Sequence, residues 1–289
     1  MVMREQDPMG ADALSSSAPA SVVVDASDAG SGDDKRASSS SSDPASRPAA
    51  IKPPKLRLHI QDLAHPGTAK FLRVVPNAGD LLAQAVGDID RLLYRPPDGS
   101  KKQGTRPHAP PTRSVTLVLE DMDGVAYTTG SDLDDDHKEI HFSLRYIDSI
   151  HPEELLASEI RGVLTHELVH CYQWNACGTC PGGLIEGVAD WVRLRCGLEP
   201  PHWRKHPDGD WASGYEQTAY FLQYLETRFG PGTVQEINAK MRRHKYRGGA
   251  FWCKLLGKTV DELYANYVKE VTGGEGDGEG DRSDDESCS

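Results

Sequence analysis

His166-Glu167-Leu168-Val169-His170 is the stretch that decides how this chain is read, and it lies inside a segment patterned as helix from Pro152 onward. Two histidines four residues apart project from one face of a helix, one turn apart. Two neutral imidazoles so placed can bind one Zn²⁺ ion at about 2.0–2.1 Å each. Glu167, next to the first of them, is positioned to reach a metal-activated water rather than the metal, and so to act as general base. Coordination gives what hydrolysis needs: it lowers the pKa of water toward ~7 and polarises a carbonyl. Three fixed letters also arise by chance, and the competing reading is a pair of helix histidines on a solvated face.

The downstream stretch Gly183-Leu184-Ile185-Glu186-Gly187-Val188-Ala189-Asp190-Trp191-Val192-Arg193 reads as a second helix with Glu186 and Asp190 on one face. A two-histidine site that keeps a catalytic water needs a third protein ligand, and Glu186 can be it. Asp190, one turn on, can accept the second N–H of a ligand imidazole and fix its tautomer. The alternative is a surface acidic face, or carboxylates favoured by the dipole of the helix N-terminus. The apolar neighbours Leu184, Ile185, Val188, Ala189, Trp191 and Val192 argue for burial instead, and buried carboxylates want a cation. Arg193 competes as that partner for Asp190.

Working outward, Leu56 to Ile60 alternates as a strand, and residues 79–95 carry a helical apolar stripe ended by Pro96 and Pro97. A Pro/Gly/Lys loop follows to about residue 113. Val115 to Glu120, Val125 to Thr129 and Glu139 to Tyr146 read as strands, the first two joined at the turn signal Asp121-Met122-Asp123-Gly124. Helices are expected at 153–175, 183–196, 213–229, 232–243 and 259–270. Strands first and helices after predict an α+β domain.

That domain is assigned to residues 51–272. Residues 1–50, rich in Ser, Ala and Asp, and the Gly/acidic tail 273–289 are expected to be disordered, having too few large apolar groups to offset ordering entropy. The formal net charge of -12 resides mostly there, with -4 in the first segment and -6 in the tail, leaving -2 on residues 51–272. A core without basic excess predicts no nucleic-acid partner. No apolar run is long enough to span a membrane, so no membrane partner is expected. The oligomeric state is not legible, and a monomer is the default.

A resemblance rests on several ordered blocks. Gly162-Val163-Leu164-Thr165-His166-Glu167-Leu168-Val169-His170, Gln173-Trp174-Asn175, and Pro181-Gly182-Gly183-Leu184-Ile185-Glu186-Gly187-Val188-Ala189-Asp190 closely resemble the plant basic secretory protein family, also described as peptidases of plants and bacteria. Met122 to Tyr127, Glu139-Ile140-His141, Gly214-Tyr215 with Thr218-Ala219, and Leu255 to Lys258 continue the likeness over about residues 55–270. The resemblance implies a zincin-like fold, a small mixed sheet over an active-site helix followed by a helical C-terminal part. It also implies a gluzincin-like zinc peptidase whose third ligand is a Glu. In such enzymes an edge strand pairs with extended substrate, which points to Val125–Thr129 or Glu139–Ser143. A Tyr or His usually stabilises the oxyanion there, and Tyr215 is the candidate, against the alternative of a packed tyrosine.

The function expected is therefore a zinc-dependent peptidase with one catalytic Zn²⁺, His166, His170 and Glu186 as ligands, Asp190 behind them, Glu167 and Tyr215 as catalytic groups, and a peptide or protein substrate. The alternatives are a zincin-fold binding protein in defence or stress, and a non-peptidase zinc hydrolase. No signal-peptide h-region is visible, which makes the cytoplasm the default location; the resemblance makes secretion the alternative.

Other chemistry-bearing residues have structural readings. Cys177-Gly178-Thr179-Cys180 is half a structural zinc site that Cys171 or Cys196 would complete, a local disulfide, or ordinary thiols. Cys171 need not touch the metal. His59 and His141 are read as structural, and His202 and His206 as having no ligand role. Asp132 to Asp136 reads as an acidic loop without the spacing of a calcium-binding EF-hand.

Overall fold

In the computed structural model, which describes residues 51–95, 108–131, 134–207 and 209–273, the alternating segment Ser114–Glu120 forms a central strand, β2. The expectations for residues 1–50 and 274–289, and for most of the loop after Pro96, lie outside the described residues. Strand β1 (Lys55–Ile60) and strand β4 (Asp134–Ser143) flank β2, both parallel to it, and β3 (Ala126–Ser131) runs antiparallel along the outer side of β4. The order is β1-β2-β4-β3. Leu117 and Leu119 of β2 share the core face with Ile140 and Phe142 of β4, all without solvent exposure. Each such side chain contributes about 1.5–3 kcal/mol by leaving water.

The turn at Asp121–Gly124 does not make the expected hairpin, because β3 pairs with β4 and not with β2. The reason is burial. Ile140 and Phe142 need cover on both sides, so β4 takes an interior place. No residue of β3 is buried, and it takes the edge. The predicted strand Glu139 to Tyr146 also ends early, at Ser143. The Ser143 hydroxyl accepts from the Tyr146 N–H and opens a short helix, α3 (Leu144–Ser149).

Two helices lie between β1 and β2: α1 (Pro66–Val74) and α2 (Ala78–Ile89), the latter continuing into a wider turn through Tyr94. The short helix α1 was not legible as a periodic stripe. It starts on proline at its first turn and on His65, whose Nδ1 accepts from the Gly67 N–H. A tight turn, Glu153–Leu155, leads into α4 (Leu156–His170), which packs on β3 and β4. The helical region after it holds α5 (Gly182–Arg195), α6 (Tyr215–Phe229), α7 (Thr233–Lys240), α8 (Gly248–Leu256) and α9 (Val260–Thr272). Helix α8, which opens on two glycines, was not expected. The architecture is α+β, a four-stranded mixed sheet followed by helices. No helix among the described residues is long and apolar enough to cross a membrane.

Candidate metal centre

Helix α4 is buried on every side from Gly162 to Val169, so His166 and Glu167 are polar groups inside the protein. Such groups require partners. The helix stops at His170, five residues short of the expected 175. The Cys171 and Tyr172 N–H groups turn to the Leu168 and Val169 carbonyls, and Ala176 and Cys177 adopt left-handed backbone. This tight exit returns the chain at once to α5, which packs against α4.

Helix α5 is held close to its other neighbour by glycines one turn apart. A Cβ at Gly187 would stand 2.2 Å from Thr218 Cγ2 of α6, and one at Gly183 would stand 1.8 Å from the Ala212 carbonyl oxygen. Only glycine permits that approach. The opposite consequence is that Glu186 faces α4. Its Oε2 lies 3.1 Å from His166 Nε2 and its Oε1 3.7 Å from His170 Nε2, while the two Nε2 atoms are 3.1 Å apart. One ligand atom from each of the three residues falls within 4.8 Å of the others, and this is the metal-capable cluster found among the described residues. A tetrahedral ion with bonds of about 2.0–2.1 Å has ligand atoms about 3.3 Å apart. The three side chains therefore already form a triangle of the size of one tetrahedral face, and they fit a divalent ion.

The charges around this triangle oppose one another. Burial disfavours a charged His166, but Asp190, Glu186 and Glu167 outweigh it and hold its pKa well above the ordinary value. Burial and the neighbouring His166 charge push His170 below its ordinary value. Burial works to raise Glu186, yet the His166 hydrogen bond and both imidazoles bring it down. The surrounding carboxylates thus favour a positive charge on His166.

Asp190 is 2% exposed, and its Oδ1 is 2.6 Å from His166 Nδ1. Arg193 does not compete for it. The guanidinium pairs with Glu159 at 2.8 Å and lies over the Trp203 ring. Glu167 points its carboxylate at Thr128 of β3, whose hydroxyl is 2.7 Å from Oε2. Tyr215 is the first residue of α6 and has left-handed backbone, with φ of 46°. It follows Gly214, where an added Cβ would stand 3.5 Å from Gly183 Cα and 3.8 Å from Glu186 Cβ.

Two contacts escaped the sequence reading. Thr128 reaches Glu167, and the side-chain nitrogen of Gln173 lies 2.9 Å from His170 Nδ1. Gln173 stands three residues after His170, a helical spacing that offered a signal; Thr128 offered none.

The remaining candidates lie apart from the cluster. Cys171, Cys177, Cys180 and Cys196 are free thiols, so no disulfide closes the Cys177–Cys180 loop. Burial pushes Cys171 and Cys180 up to about 12, which keeps both protonated. His141 sits between Glu120 and Glu139 and stacks on Tyr127, as a structural residue would. His59 and His202 are exposed. Asp134 to Asp136 is not a loop but the start of β4, where Asp134 and Asp136 pair with Arg113.

A family model described as "Peptidase of plants and bacteria" matches residues 53–267, well over half of the chain. No curated protein and no solved structure matches it.

Proposed function

Because the chain belongs to the family of peptidases of plants and bacteria, matched over residues 53–267, we propose that residues 51–272 form a zinc-dependent peptidase domain acting on peptide or protein substrates. The observation that carries this is the triangle of His166, His170 and Glu186. Two imidazoles and a carboxylate are a donor set suited to zinc, with room for a fourth position. When bound there, zinc supplies Lewis acidity, lowering the pKa of water toward ~7 and polarising the scissile carbonyl.

The protein's own groups do the rest. Asp190 keeps Nδ1 of His166 protonated, which leaves Nε2 free as a donor toward the ion. Glu167 lies beside that ligand on the same helix and takes the proton from water as general base, then passes it to the leaving amine. Tyr215 donates its hydroxyl to the developing oxyanion, a contribution on the order of 10²-fold in rate. Substrate lies along β3. Of the two candidate strands it is the sheet edge, with backbone groups open to pairing, whereas β4 is paired on both sides. Glu167 itself argues against a pure binding role, which needs no general base.

The test is Glu167→Gln in the full-length chain. The variant is expected to keep its zinc and to lose nearly all casein hydrolysis. Cleavage at the wild-type rate would refute the proposed mechanism.

A further inference from the structure

Thr128 lies on the core face of the edge strand, in register with the buried Ile140 of β4. Its hydroxyl has two acceptors on one residue of the neighbouring helix: Oε2 of Glu167 at 2.7 Å and the main-chain oxygen of Glu167 at 2.9 Å. A hydroxyl has one proton and donates to one of these at a time. Charge-assisted bonds are roughly twice as strong as neutral ones, and the shorter contact is the one to the carboxylate. The main-chain oxygen has another donor in the Cys171 thiol at 3.8 Å. Among the described residues, the Thr128 hydroxyl is the one hydrogen-bond donor to the Glu167 carboxylate.

We propose that Thr128 is a positioning residue for Glu167. Its hydroxyl holds Oε2 against β3 and leaves Oε1 as the oxygen that meets water and the leaving amine. The inference rests on the peptidase reading above and deepens it: one strand both docks the substrate and aligns the base. Thr suits the task because its branched β-carbon restricts χ1 in a strand, and a displaced base of about 1 Å costs on the order of 10²-fold in rate. The competing role is a purely structural one, capping the last turn of α4 through the main-chain oxygen.

Thr128→Val keeps the shape and removes the hydroxyl; Thr128→Ser keeps the hydroxyl. In the zinc-loaded full chain, Thr128→Val is expected to retain its zinc and a near wild-type KM, because the side chain faces the core and not the substrate. Its kcat should fall about 10- to 100-fold, and Thr128→Ser should recover most of that loss. In the metal-free chain, thermal unfolding of Thr128→Val, Glu167→Ala and the double variant reads the contact without catalysis. The double variant should lower Tm by less than the sum of the single shifts. A wild-type kcat in Thr128→Val, a serine variant no better than valine, or additive Tm shifts would overturn the proposal. If the wild type cleaves nothing in a broad peptide library, the peptidase reading fails, and the unfolding cycle alone decides whether the hydroxyl belongs to the carboxylate.

Discussion

The buried carboxylate of Asp190 lies 2.6 Å from Nδ1 of His166, and this contact determines which imidazole nitrogen faces Glu186 and His170. A ring held by one nitrogen presents the other in a fixed direction. The geometry of the proposed metal centre therefore starts one layer behind its ligands.

Asp190→Asn keeps the shape and removes the charge that favours Nδ1–H. Such partners typically affect metal affinity 10- to 100-fold, and a loss of about that size is expected here. Competition with a chromophoric chelator measures it. Unchanged affinity would remove Asp190 from the site's design.

Zinc binding should release a proton. A pKa raised on folding, as for His166, stabilises the metal-free chain fully below the unfolded value of about 6.5 and loses that effect as pH rises through the folded value. Lowered values, as for His170 and Glu186, act in the opposite sense: their stabilisation is present above the unfolded values and lost as pH falls through the folded ones. At neutral pH the ion thus displaces the His166 proton, and affinity climbs with pH. Calorimetry in buffers of different ionisation enthalpy should show about one proton released per zinc at pH 7. Heats independent of the buffer would contradict this.

Gly187→Ala should lower stability by about 1–3 kcal/mol, the usual cost of overpacking, since the added Cβ meets Thr218 Cγ2. Adding Thr218→Ser removes that methyl. It keeps the hydroxyl that accepts from the Gly214 N–H and donates to the Trp211 carbonyl. Denaturant unfolding should show partial recovery in the double variant. No recovery would place the strain at the Thr218 Cβ, 2.5 Å from the added Cβ and retained by serine, and not at the methyl.

Cys171 follows His170 but is buried, and its thiol is pushed up to about 12. Cys171→Ala should retain full zinc content, and brief alkylation of the folded protein at pH 8 should label the exposed Cys177 and spare Cys171. Loss of zinc in Cys171→Ala would make the thiol a ligand.

Spacing made the proposed ligands legible. His166 and His170, and Glu186 and Asp190, each sit one helical turn apart, and local periodicity survives into the structure. The strand order was not legible. Parallel pairing of β2 with β4 joins residues more than twenty positions apart, and the local turn signal at Asp121–Gly124 favoured a hairpin that burial overrode. The start of α3, Leu144 to Tyr146, was read as the end of a strand because a helix of six residues is too short to show a helical period. Thr128 escaped for a related reason. It meets Glu167 across 39 residues, through a sheet register that no local pattern encodes.

The most direct test of the central claim is elemental analysis of the purified wild-type chain beside Glu186→Ala. The account predicts about one zinc per wild-type chain and a large loss in the variant. A wild type without zinc, or a variant that keeps all of it, would contradict the convergence of His166, His170 and Glu186 on one ion.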